Sequence, residues 1–140
     1  MVFEGKFIIA SGPLIFKDNK ILVSKDNKDP FYKLIGGTID IDSKESLEDA
    51  CKRKAKEACG AELKIIKPLS PNILYENPKT KEKMVIILIN YLAEILNPDE
   101  IKPIPPEQDL KWVSLDDVKQ GKGDLSPNTL MLLKKEGYFD

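Results

Sequence analysis

The stretch Gly36–Gly60, GGTIDIDSKESLEDACKRKAKEACG, decides how this chain folds. A glycine pair follows an apolar run, which reads as a strand entering a tight backbone passage. The charged segment after it has helical spacing. Leu47, Cys51, Ala55 and Cys59 recur every four residues and mark one narrow apolar face. Asp42 with Glu45, or Ser46 with Asp49, could cap the start of this helix. Gly60 fits the position just past a helix end, where a left-handed residue is wanted. The unit is a loop and helix with one face for a core and another crowded with charge.

On the amino-terminal side, the apolar segment Phe7–Phe16 is interrupted by Ser11-Gly12-Pro13 and reads as a bent strand or two short ones. With the polar turn Lys17–Lys20 and the strand Ile21–Ser24 it forms a hairpin. Phe31–Ile35 is a short strand that delivers the chain to Gly36-Gly37. Beyond the helix, Leu63–Ile66 reads as a strand ended by Pro68, while Ser70–Tyr75 has no clear pattern. The run Lys83–Leu96 is the strongest β signal, apolar on both faces and so suited to a central strand. A proline-rich loop spans 97–109. The segment around Trp112 is then a short strand, Ser114–Val118 a capped turn, and Ser126-Pro127 the start of a last helix ended by Gly137. Strands, helix, strands, helix is the order of one α+β domain over residues 1–140.

Composition removes several chemistries. The chain has 140 residues, 22 basic and 23 acidic, for a net charge of −1, and no histidine. A Ser–His–Asp triad, a Cys–His pair, an HExxH zinc site and a histidine proton shuttle are excluded, so acid–base work falls to carboxylates, lysine or tyrosine. Two cysteines cannot complete a cysteine-only zinc site within one chain. Placed eight residues apart on one helix, they lie about 12 Å apart along its axis, too far for a disulfide, and read as small buried hydrophobes. The balanced charge does not suit a duplex nucleic-acid binder. The longest apolar run, Met84–Ile89, is too short to cross a bilayer, and no basic-plus-apolar export signal opens the chain, so a cytoplasmic location is expected. Arg53 is the one arginine among the 22 basic residues, in a lysine- and isoleucine-rich composition with a thermophile character.

The central stretch resembles the Nudix box, in which a glycine loop leads to a helix spaced G-x5-E-x7-R-E-U-x-E-E-x-G-U. Anchored at Gly60-Ala61 as the closing G-U, Glu57 stands for the first glutamate of the EE pair, Arg53 for the arginine and Glu45 for the isolated glutamate. Gly37 is the opening glycine, with seven residues before Glu45 instead of five. The segment Leu110–Val118, LKWVSLDDV, looks like the family's W-V-x-L-x-E-L, and Ser126-Pro127 opens a last helix as family members do. The resemblance covers essentially the whole chain. It implies a Nudix-type α/β/α sandwich with a mixed β-sheet between helices. It also implies hydrolysis of nucleoside diphosphate-linked compounds, with Mg²⁺ or Mn²⁺ as cofactor and a nucleotide-type small molecule as partner. Family members commonly dimerise, so a homodimer is among the expectations.

Glu57, Glu45, Arg53 and Glu107 are the catalytic candidates the resemblance implies. Gly36 and Gly37 of the glycine loop, with Lys54 on the strength of its own charge, are the substrate-binding candidates. Glu57 and Glu45, helped by Asp40 and Asp42 from the lengthened loop 38–44, are the candidate metal ligands. Two positions depart from the family. Lys54 follows Arg53 where a glutamate is usual, and Ala58 replaces the second glutamate of the EE pair. Positions 54, 57 and 58 share one helix face, so three carboxylates there would suit a hard cation. A unit charge ~5 Å from a dication is worth up to roughly 7 kcal/mol at an effective dielectric of ~20, and lysine reverses its sign. A weakened metal site is therefore expected, with reduced or absent turnover. The alternative is a non-catalytic domain that binds a nucleotide or a protein. Lys54 either holds a phosphate where the metal's charge would act or pairs with Glu57 or Glu48. Arg53 either orders the glycine loop through its carbonyls or bridges Glu45.

Overall fold

The computed structural model describes residues 5–40 and 42–139. Residues 1–4, where the reading of the amino terminus begins, and Ile41 of the lengthened loop lie outside the described residues. The apolar run forms strand β6 (Lys83–Ile95), around which the sheet is built. One edge of β6 pairs in parallel with β1 (Lys6–Lys17), from Lys6 opposite Met84 to Ile15 opposite Ala93. Its other edge takes β4 (Leu63–Pro68) and β5 (Asn72–Glu76), both antiparallel. Hydrogen-bonded on both edges, β6 is predominantly apolar for the reason its sequence indicates.

The end of β1 turns into β2 (Lys20–Asp26) through Asp18 and Asn19, whose φ values of 53° and 62° fit a two-residue hairpin. β2 pairs in turn with β7 (Glu107–Ser114). The two-residue β3 (Gly37–Thr38) pairs with β1. The order is β4-β6-β1-β2-β7, with β3 and β5 off this path.

Alternation along the strands divides the core into two layers. Ile15 and Leu22 point to one face, where Ala55 and Cys59 of helix α1 (Leu47–Cys59) cover them. Leu14, Ile21 and Val23 point to the other, against Val118 of α2 (Leu115–Lys119) and Leu132 and Leu133 of α3 (Pro127–Lys135). The result is the expected α+β sandwich with helices on both faces of a mixed sheet.

Helix α1 begins at Ser46, whose side chain accepts from the Asp49 amide at 3.1 Å, and ends at left-handed Gly60 (φ 75°). The Ser46 cap is thus the one realised. Cys51 and Cys59 are free and buried; burial pushes the Cys51 thiol up to about 12 and raises that of Cys59. They are inert packing residues. Two local readings differ. Phe31–Ile35 is not a strand: Tyr32 bonds through its backbone to Asp124 and Ser126, while Lys33 pairs with Ser24, so no ladder forms. Strand β7 starts at Glu107, earlier than Leu110, because β2 extends to Asp26 through a bulge and pairs with it. Among the described residues no helix is long and apolar enough to cross a membrane.

Candidate functional site

The glycine passage is a backbone contact. A methyl group placed on Gly12 would lie 2.1 Å from the Ile35 carbonyl oxygen, and one on Gly36 would lie 2.8 Å from that of Ser11. Each glycine leaves room for the other strand's main chain. Ser11, fully buried, donates from its hydroxyl to the Leu47 carbonyl at 3.0 Å and fastens this crossing to the first turn of α1. Gly37 is kept small by a side chain instead. A methyl there would stand 3.1 Å from Cε and 3.2 Å from Nζ of Lys54. The lysine that departs from the family pattern therefore lies over the glycine loop. It has no ion-pair partner among the described residues, and the expected pairing with Glu57 or Glu48 is not formed.

On the outer face of α1, Arg53 gathers the carboxylates. Its Nε donates to both oxygens of Glu45 (3.1 and 2.9 Å), and Nη2 adds a third bond to Glu45. Nη1 holds both oxygens of Glu57, one turn away, at 2.6 and 3.0 Å. Glu45, and then Glu57, raise the Arg53 pKa further, while Arg53 lowers that of Glu45. The fork explains why this position is arginine in a lysine-rich chain.

The side chains of the remaining carboxylate nominees make no hydrogen bond to this group among the described residues. The Asp40 carboxylate accepts from the amides of Asp42 and Ser43, closing its own turn, while its amide donates to Glu45 at 3.3 Å. Asp42 is exposed. Glu107 faces Lys33 at 3.5 Å. Among the described residues no three Asp, Glu, Cys or His side chains form a group that could hold a metal ion.

Beside the glycine crossing opens a cleft of about 210 Å³. Its floor is Ser11, Gly12 and Gly36, one wall carries Asn72, Leu88 and Asn90 of the β5–β6 hairpin, and the other carries Lys33, Leu34 and Asn128. Asn90 donates to the Gly12 carbonyl at 3.2 Å, and its amide oxygen has no donor among the described residues. Asn72 accepts from Lys135 at 3.0 Å and keeps its NH₂ free. An apolar cavity with a few amides and a lysine at its edge suits a planar polar group carrying an anion. Gly36 and Gly37, nominated from the sequence, line this cleft, whereas Lys33 and the asparagines are not among the residues nominated. A signal existed for Asn90, a lone amide in the most apolar strand of the chain, and for Gly12, a glycine inside a strand.

Lys33 is itself held by a buried acid. Asp29, whose side chain is fully buried, accepts at Oδ2 from Lys33 at 2.5 Å and from the Asp26 amide at 3.0 Å. Its Oδ1 meets Lys79 as an ion pair without a directed hydrogen bond. Burial would raise the Asp29 pKa, but the Asp26 amide and the two lysines outweigh it and hold the carboxyl at about 2.

Comparison with known proteins agrees with this architecture. The NUDIX domain profile matches residues 6–132. A MutT NUDIX hydrolase from Burkholderia pseudomallei is 26% identical, with a TM-score of 0.72 over 93% of this chain and 98% of that one. A C. elegans Ap4A hydrolase, solved as a binary complex, is 21% identical, with a TM-score of 0.71 over 92% and 94%. A NUDIX hydrolase from Nitrosomonas europaea reaches a TM-score of 0.74 at 15% identity, over 94% and 88%. No curated protein matches the chain.

Proposed function

The chain belongs to the NUDIX family, and from that premise we propose that it is a cytosolic domain that binds a nucleotide-type phosphorylated ligand, with weak or absent metal-dependent hydrolysis. The observation that carries this is Lys54 lying over Gly37, itself a residue that lines the cleft, with no ion pair to its ammonium among the described residues. Family members place Mg²⁺ or Mn²⁺ beside their box helix, where it polarises a phosphoryl group. The donors here do not fit a hard dication, which wants several free oxygens. Glu45 and Glu57 are both engaged by one guanidinium, Asp40 faces its own loop, and positions 54 and 58 are lysine and alanine. A lysine can instead meet a phosphate directly as a point charge. Lys54 then meets the phosphate over Gly37, and the cleft that Gly37 and Lys33 line takes the base or sugar between the asparagines.

Calorimetry with ATP, ADP-ribose and a dinucleoside polyphosphate, each in the presence of chelator, tests the reading. At least one is expected to bind without metal, and Lys54→Gln is expected to weaken that binding about tenfold, the scale of one charge-assisted contact. The unmodified chain is expected to release little or no product with Mg²⁺ or Mn²⁺. Ready turnover with metal, or no binding of any of the three, would overturn it.

A further inference from the structure

Lys79 stands at the tip of the β5–β6 hairpin, fifty positions from Asp29, yet both lysines of this network meet the same buried carboxylate. The two meeting segments are extensions of the two walls of the cleft. The hairpin supplies Asn72, Leu88 and Asn90, and the segment after Asp29 supplies Lys33 and Leu34. Both partners are pre-set by their own turns. The amides of Lys79 and Thr80 donate to the Asn77 side chain at 2.8 and 3.2 Å. Asp26 and Asp29 exchange bonds, the Asp29 amide donating to Asp26 Oδ1 at 2.8 Å and the Asp26 amide to Asp29 Oδ2. Lys33 is also drawn toward Glu107, at 3.5 Å, whose second oxygen is buried without a partner.

We propose that Asp29 is a positioning residue that clasps the cleft: it fastens the hairpin, through Lys79, to the opposite wall while holding Lys33 at the cleft's edge. One carboxylate shared by two lysines makes the two contacts interdependent. When the phosphate of a ligand draws on Lys33, the negative charge left at Asp29 falls more fully on Lys79, so occupancy tightens the hairpin and slows release. This inference rests on the cleft's binding a phosphorylated ligand, as proposed above. Its first consequence, a hairpin tied down in the free protein, does not.

The test compares Lys79→Gln, which removes the charge, with Lys79→Arg, which keeps it. In the ligand-free protein, amide exchange across residues 77–82 is expected to quicken roughly tenfold in Lys79→Gln, as for a lost contact to a buried charge, and to return toward the wild-type rate in Lys79→Arg. Release of ATP in chelator, followed by stopped flow, is expected to accelerate several-fold in Lys79→Gln and to recover in Lys79→Arg. Unchanged exchange in Lys79→Gln overturns the clasp, and faster exchange with unchanged ATP release overturns its action on the cleft. Failure of the wild-type chain to bind ATP or its relatives counts against the functional reading instead. The exchange rates alone then decide whether the hairpin is fastened.

Discussion

Two ion networks serve this domain, and they are inverted images of each other. At Asp29 one fully buried carboxylate serves two lysines, while at Arg53 one guanidinium, a third exposed, serves two glutamates. The first brings together loops fifty positions apart. The second stays on one helix and the loop before it. Burial makes the Asp29 network a matter of order, because an uncompensated charge there has nowhere to go. Exposure makes the Arg53 network a matter of chemistry. It adds little to stability, but it engages both Glu45 and Glu57 of the box. In the family pattern described above the acid-rich side of the helix faces the phosphates, whereas here two of its positions are Lys54 and Ala58.

The sharpest way to break this contrast is to restore the acidic face. Lys54→Glu with Ala58→Glu is expected to raise Mn²⁺-dependent turnover by roughly a hundredfold, the scale of one electrostatic element in a catalytic site. Product release from ADP-ribose measures it. No gain would mean that the hold of Arg53 on Glu57, not the changes at 54 and 58, limits the site. A smaller effect is expected at the buried network. Asp29→Asn should lower stability by about 2 kcal/mol at pH 7, matching a carboxyl held at about 2 against an ordinary 3.8. A depressed carboxyl contributes fully above its unfolded value and loses that contribution as the folded form protonates. The gap between wild type and variant should therefore close as pH falls from about 4 to about 2, read by urea unfolding at several pH values. A gap that stays constant with pH would assign the loss to packing.

The smallest effect is expected at Arg53. In Arg53→Gln the Glu45 carboxyl should titrate at higher pH than in the wild type, since Arg53 is the main cause of its depression. Carboxyl chemical shifts over a pH series measure this. High salt should reproduce part of the change in the wild type, while leaving the stability loss of Asp29→Asn largely intact. Equal salt sensitivity in the two networks would erase the distinction drawn between them.

The fold was legible because its signals are local and periodic. The four-residue repeat of α1, the Gly60 cap, the apolar run of β6 and the hairpin turn within Lys17–Lys20 each act within a few residues and formed as read. Of the two starts offered for α1, the Ser46 cap is the one made. The site was legible only where the box carried it. Lys33, Asn72 and Asn128 come from three separate elements, and nothing in their spacing along the chain brings them to one cleft. Asp29 lies in a short polar loop, and its burial depends on partners distant in sequence, Lys79 of the β5–β6 hairpin among them. Phe31–Ile35 failed as a strand for a related reason. Its apolar composition is real, but its neighbours offer single bridges in place of a ladder.

The crossing of Gly12 and Gly36 limits how this cleft can change. Where Gly12 and Gly36 meet, its floor is made of peptide groups packed against each other, and neither position has room for a side chain. A new preference for ligand must be written on the walls, at Lys33, Asn72, Asn90 or Asn128, while the floor persists unaltered. Relatives that share the crossing would then differ in what they hold without differing in how deep they hold it.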